Sequence, residues 1–243
     1  MKIGINDFGI GGLGLYKLLR EQTTADLVYF SDSGYHPYGT LSRTELQDRL
    51  QKVIDFFHSQ DVQHIAVACH AASTVVPEDQ NITGIIQHAV NLVVKHKPAI
   101  VAVTGGILTI NSHLYQSALA EHGIEAVEQI AQPLSIRIEA GEVDSAALAD
   151  DIHQMFAPIS HIRHQLLACT HYPAISPAIQ RFLPRALLLD PTEEMSAWIQ
   201  QHWSPVHGQS QTQWFCTGDS EKMKMAGKKS FGVDILNIEK VTL

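Results

Sequence analysis

The sequence predicts an α/β protein of two pseudo-symmetric, doubly wound parallel-sheet domains, with a candidate active site in the cleft between them. Three observations carry this. Short Val/Ile/Leu-rich runs recur without polar alternation, as strands buried on both faces require. Longer amphipathic stretches separate them, which makes βαβ units. The pattern also restarts. A glycine-rich strand exit over 4–12 is echoed by "VAVTGGILTINS" at 101–112. Each is followed by an apolar run ending in Ala-Cys: Cys69 in "VACHAAS" and, one hundred positions later, Cys169 in "LACTHYP".

Taken in order, strands are expected over 2–6 (KIGIN), 26–31 (DLVYFS), 64–69 (HIAVAC), 99–104 (AIVAVT), 124–128 (IEAVE), 164–169 (HQLLAC) and 186–190 (ALLLD). Helices are expected over 12–22, 42–60, 82–95, 111–122, 144–157, 174–181 and 192–202. A basic amphipathic helix around 219–228 reads as a plain surface helix. Lys97-Pro98 is the natural break between halves. The expected organisation is a first domain of residues 1–97 plus a returning segment 205–243, and a second of residues 98–204. Ligands of such sheets bind beyond the carboxyl ends of the strands, where both Ala-Cys positions fall.

Composition narrows the partners. A chain of 243 residues with 45% hydrophobic and 17% charged content has ample material for a core. A net charge of −8 argues against a nucleic-acid surface. No apolar run approaches the ~18 residues of a membrane span, and the N-terminus lacks the long apolar core of a signal peptide. Three cysteines are too few, and odd in number, for a disulfide framework, so a reducing cytoplasm is the expected compartment. Of the fourteen histidines, His58, His64, His88, His96, His113, His122, His153, His161 and His164 are scattered without HExxH or CxxC partners. They read as solvated surface residues, and no metal is expected.

Two constellations carry chemistry. "DFGIGGLG" (7–14) has glycines at 9, 11 and 14, the G-x-G-x-x-G spacing of a pyrophosphate cradle, and Asp32 stands where a ribose-binding acid would. Asp7, just ahead of that loop, argues against a phosphate there. The second constellation is the cysteine pair. One Ala-Cys at a strand end reads as a small buried hydrophobe. Two at equivalent places in two halves read as an acid–base pair across a cleft, one thiolate taking a proton from carbon and the opposite thiol supplying one to the other face. Asp7 and His171 each fall within reach of one cysteine. The alternatives for them are a helix N-cap and a hydrogen-bonded turn residue.

"GINDFGIGGLG", "YFSDSGYHPYGTLS", "VACHAAS", "TGGILTINSHLY" and "LACTHYP" come in the order and spacing of glutamate racemase, of the aspartate/glutamate racemase superfamily, and the chain resembles that family from its first strand to "FCTGD". The resemblance implies a cofactor-independent, metal-free racemase that makes D-glutamate for bacterial peptidoglycan from a small-molecule amino acid. It implies that Cys69 and Cys169 are the catalytic bases, assisted by Asp7 and His171, with Glu139 near a further acidic helper. Tyr38, Gly39, Thr109 and Thr170 match substrate-contacting positions, and Thr170 with the backbone amides after each cysteine would hold the α-carboxylate. A homodimer is one assembly that the resemblance allows.

The chain departs from the family where small polar contacts are expected. Asp-Ser-Gly becomes Asp7-Phe8-Gly9, and Ala-Cys-Asn-Thr-Ala becomes Ala68-Cys69-His70-Ala71-Ala72. Each lost hydrogen bond to a charged ligand costs about 1.5–3 kcal/mol. His70 could compensate as a cation or an N–H donor, and as a cation it would depress the thiol of Cys69. Three readings stay open: glutamate as substrate, a different amino acid facing Phe8, or an inactive racemase-like binding protein.

Overall fold

The computed structural model describes residues 1–204 and 208–243. In chain order the first half carries β1 (Lys2–Asp7), α1 (Leu13–Gln22), β2 (Asp26–Ser31), α2 (Arg43–Ser59), β3 (His64–Val67), the single turn α3 (His70–Ser73), β4 (Ile82–Gly84) and α4 (Ile85–His96). The second carries β5 (Ile100–Gly105), α5 (Ile107–Asn111), α6 (Leu114–Ala120), β6 (Glu125–Ile130), α7 (Gln132–Glu139), α8 (Ala146–Phe156), β7 (His164–Ala168), α9 (Ser176–Phe182), β8 (Leu187–Leu189) and α10 (Thr192–Trp203). The chain ends in β9 (Thr212–Cys216), α11 (Ser220–Phe231) and β10 (Ile238–Lys240).

These strands form two sheets, and every pairing is parallel. One sheet has the order β10-β9-β2-β1-β3-β4, the other β6-β5-β7-β8. The second order repeats the β2-β1-β3-β4 part of the first, so β1 corresponds to β5 and β3 to β7. That correspondence is the internal repeat seen in the sequence. The returning segment adds β9 and β10 to the edge of the first sheet beside β2. The expected boundary at residue 205 lies outside the described residues.

The central strands are buried almost end to end, which is why their sequences do not alternate: Ile3, Ile5, Leu27, Tyr29, Val101, Val103 and Leu166 have no exposed surface. Burying each such side chain contributes roughly 1.5–3 kcal/mol. Caps set the helix starts. The Ser42 hydroxyl accepts from the Glu45 N–H while Glu45 reaches back to the Ser42 N–H, a reciprocal box that opens α2. α4 ends at Lys97, in the left-handed region at φ 49°, immediately before Pro98, which cannot continue a helix.

Four expectations need correction. Residues 82–84 are a strand, not the start of a helix, because Ile82, Thr83 and Gly84 pair with Ile65, Ala66 and Val67. The helix expected over 111–122 begins only at Leu114, after His113 in the left-handed region, and a separate helix, α5, precedes it over Ile107–Asn111. α7, β9 and β10 were not anticipated. The C-terminal helix is not a plain surface element either: Met223, Ala226 and Gly227 are buried in it, and Ser230 donates to the Ile138 carbonyl of α7. Among the described residues, no helix is long and apolar enough to cross a membrane.

Candidate active site

A cavity of about 390 Å³ lies beyond the carboxyl ends of the central strands, with walls from both halves. The first half supplies Phe8, Tyr38, Gly39, Cys69, His70 and Ala71. The second supplies Thr109, Glu139, Cys169, Thr170 and His171. Every expected site residue therefore meets in one place except Asp7, which ends β1 and lies fully buried behind the wall. Cys69 follows β3 and Cys169 follows β7, so the two thiols leave equivalent strands of the two sheets.

Asp7 bridges the halves from beneath. Its Oδ1 accepts from the Gly9 N–H at 3.0 Å, and its Oδ2 accepts from the Thr170 hydroxyl at 2.9 Å. It caps no helix, since α1 begins after Gly12. Burial raises its carboxyl above the usual range, against the opposing charge of His171 and these two donors. Burial also pushes the Cys69 thiol well up, helped by the charges of Asp7 and Cys169, while the Ala72 and Phe8 N–H groups favour the thiolate. The Asp7 charge thus opposes ionisation of the Cys69 thiol.

The Cys169 side is arranged differently. His171 Nδ1 lies 3.5 Å from Cys169 Sγ, and its Nε2 lies 2.5 Å from Glu139 Oε1. Burial alone would lower the His171 pKa, but the Cys169 sulfur and the Glu139 carboxylate outweigh it and hold the value well above that of an ordinary imidazole. Glu139 in turn accepts from the Ile10 N–H at 2.7 Å, so it ties α7 to the loop after β1.

The glycine loop is explained by these contacts. A Cβ on Gly9 would stand 1.8 Å from Glu139 Oε1, and one on Gly11 would stand 2.2 Å from the Thr170 hydroxyl oxygen. The glycines admit side chains of the second half where a dinucleotide reading needs room for a pyrophosphate. Asp32 is not free for a ribose: it is fully buried and binds Arg49 Nη2 at 2.6 Å, the Tyr38 hydroxyl at 2.7 Å and the Thr217 hydroxyl at 2.9 Å.

The three departures from the family pattern also line the cavity. Phe8 turns into it and packs against Tyr38, with ring centroids 5.2 Å apart. His70 is 3% exposed, and burial pushes its pKa down to about 3. It is a neutral ring, so the expectation of a cation that would depress Cys69 is overturned. Gln132, Ser135 and Ile136 of α7, with Ile107 and Leu108 of α5, are wall residues that the sequence did not flag. Pro133, one of the first residues of α7, was the available signal for a helix start there.

Among solved structures, the chain resembles glutamate racemase from Francisella tularensis in complex with D-glutamate: TM-score 0.90, 25% identity, 99% of this chain and 97% of that one covered. It also resembles glutamate racemase from Aquifex pyrophilus, with TM-score 0.82 and 27% identity over 98% of each chain. No protein-family model matches. Glutamate racemase from Helicobacter pylori is 30% identical over 194 residues, which are 75% of this chain and 76% of that protein. These likenesses put the chain in the glutamate racemase family, as an isomerase of the amino-acid racemase kind.

Proposed function

We propose that the protein interconverts L- and D-glutamate by a two-base mechanism in which Cys69 and Cys169 act on opposite faces of Cα. One thiolate takes the Cα proton and becomes a thiol, leaving a carbanion stabilised by the adjacent carboxylate. The opposite thiol delivers its proton to the other face and becomes a thiolate. No electrons are gained or lost, and the enzyme finishes with its proton on the other sulfur. The observation that carries this reading is the meeting of two thiols from equivalent strands in one cavity, each with its own titratable neighbour. Asp7 would receive and return the Cys69 proton. His171, steadied by Glu139, would do the same for Cys169. Thr109, Thr170, His70 and the backbone of Tyr38-Gly39 would hold the substrate.

Glutamate is the substrate named for the relatives, and the family's role implies supply of D-glutamate for peptidoglycan. One observation favours a second reading. Phe8 and Ala71 stand where the family has hydroxyls, and Ile107, Leu108 and Ile136 share the cavity with them. That wall suits a substrate with a less polar side chain. Polarimetry on purified protein with glutamate, then with a panel of other amino acids, decides between the two. Glutamate as the fastest substrate supports the first reading, and a faster apolar amino acid supports the second. No racemisation of any amino acid overturns both.

A further inference from the structure

His70 and Tyr115 form a hydrogen bond that crosses the cleft. His70 opens α3 at the exit of the first sheet, and Tyr115 lies on α6, which packs on β6 of the second. His70 Nδ1 and the Tyr115 hydroxyl are 2.7 Å apart, and both residues are buried, at 3% and 0% exposure. His70 Nε2 is buried without a hydrogen-bond partner among the described residues, although His70 is a wall residue of the cavity.

The count of polar groups decides which way the bond runs. If Nδ1–H donated to the phenol, both the phenol proton and the Nε2 lone pair would be orphaned. If the phenol donates to Nδ1, every group is satisfied except the Nε2–H itself. A buried orphan is costly, so the second arrangement wins. A neutral ring in that form offers one N–H, and its natural complement in an amino acid is a carboxylate oxygen.

We propose that Tyr115 is a positioning residue that locks His70 in its Nε2–H form, so that His70 presents a neutral donor to a carboxylate of the substrate. This rests on the racemase reading above. An imidazole needs a partner to fix which nitrogen holds the proton, and Tyr115 is that partner.

Long-range proton–nitrogen spectra of [15N]histidine-labelled protein test this, with the His70 signals identified by their loss in His70→Gln. The expected result in the wild type is a protonated Nε2 and an unprotonated Nδ1, with the Nε2 proton shifting when D-glutamate, or the best substrate of the panel, is added. In Tyr115→Phe the two forms mix, and KM rises roughly tenfold while kcat changes much less, as loss of one ground-state hydrogen bond predicts. A wild-type ring protonated on Nδ1, or a Tyr115→Phe variant with unchanged tautomer and KM, would overturn the proposal. The tautomer is read without turnover, so this failure is distinct from that of the racemase reading, which shows as no racemisation by the wild type.

Discussion

Thr170 donates a 2.9 Å hydrogen bond to Asp7, joining the residue that follows Cys169 in the second half to the carboxylate that faces Cys69 from the first. The surroundings of the two cysteines are therefore joined across the halves. A shift of one half against the other breaks this bond and leaves a fully buried carboxylate with one donor fewer. Glu139 makes a parallel tie, holding the Ile10 N–H with the same oxygen that meets His171. The same few atoms tie the two halves together and surround the two thiols.

Removing the Asp7 charge has effects of opposite sign on stability and rate. Its carboxyl is raised in the fold, so its ionisation costs stability at neutral pH; the protonated group's contribution is fully present below the ordinary 3.8 and is lost as pH rises through the raised value. Asp7→Asn is expected to raise Tm at pH 7, with the gain vanishing as pH falls. It should lower kcat by about 10²–10⁴-fold, the usual contribution of a positioned acid–base group. Because the Asp7 charge helps to hold the Cys69 thiol up, the alkaline rise of the residual activity should move to lower pH. Calorimetry and a pH–rate profile check these points.

Glu139→Gln addresses the other side. The His171 pKa is raised by its neighbours, so its proton stabilises the fold fully below the ordinary 6.5 and less as pH climbs through the raised value. The Tm deficit of Glu139→Gln should therefore be largest near pH 5–6.5 and shrink at alkaline pH. The pH at which activity falls through loss of the His171 proton should move down.

Gly9→Ala separates folding from function. The atom that its Cβ meets is the end of the Glu139 side chain, which can swing away at small cost to the fold. In swinging away it abandons the Ile10 N–H and His171. Tm should stay within a few degrees of the wild type while kcat drops about 10²-fold, the size expected of a misplaced catalytic group.

The Phe8 ring sits where the family pattern has a serine and is backed by Tyr38. Phe8→Ser should lower KM for glutamate and raise KM for amino acids with apolar side chains. Steady-state kinetics on both substrate types check the direction, and an unchanged ratio of kcat/KM between them would remove Phe8 from substrate selection.

Much of this was legible in the chain. Buried parallel strands write themselves as unalternating apolar runs, so the central strands of both sheets, and the repeat that relates them, could be read directly. The paired Ala-Cys exits followed from that repeat. β4 could not be distinguished from a helix start, because three residues carry no period and its pairing with β3 is a tertiary fact. α7 was hidden because its buried Leu134, Ser135 and Ile138 mark only a weak stripe, and it brought the unanticipated Gln132, Ser135 and Ile136 to the site. The glycine loop was ambiguous for a physical reason: a close-approaching phosphate and a close-approaching side chain make the same demand on the backbone. The neutrality of His70 follows from burial beside Tyr115, forty-five positions away, and no local pattern records that.

The central claim is that two thiols serve one Cα. Loss of the Cα–H proton signal in D2O tests it directly, with each enantiomer of glutamate first and then of the amino-acid panel, for the wild type, Cys69→Ser and Cys169→Ser. The two-base account predicts exchange of both enantiomers of at least one amino acid in the wild type, and racemisation in neither variant, with each variant exchanging at most the one enantiomer whose Cα proton faces the remaining thiol. A single variant that still racemises, or that exchanges both enantiomers, or no exchange in the wild type across the whole panel, would contradict it.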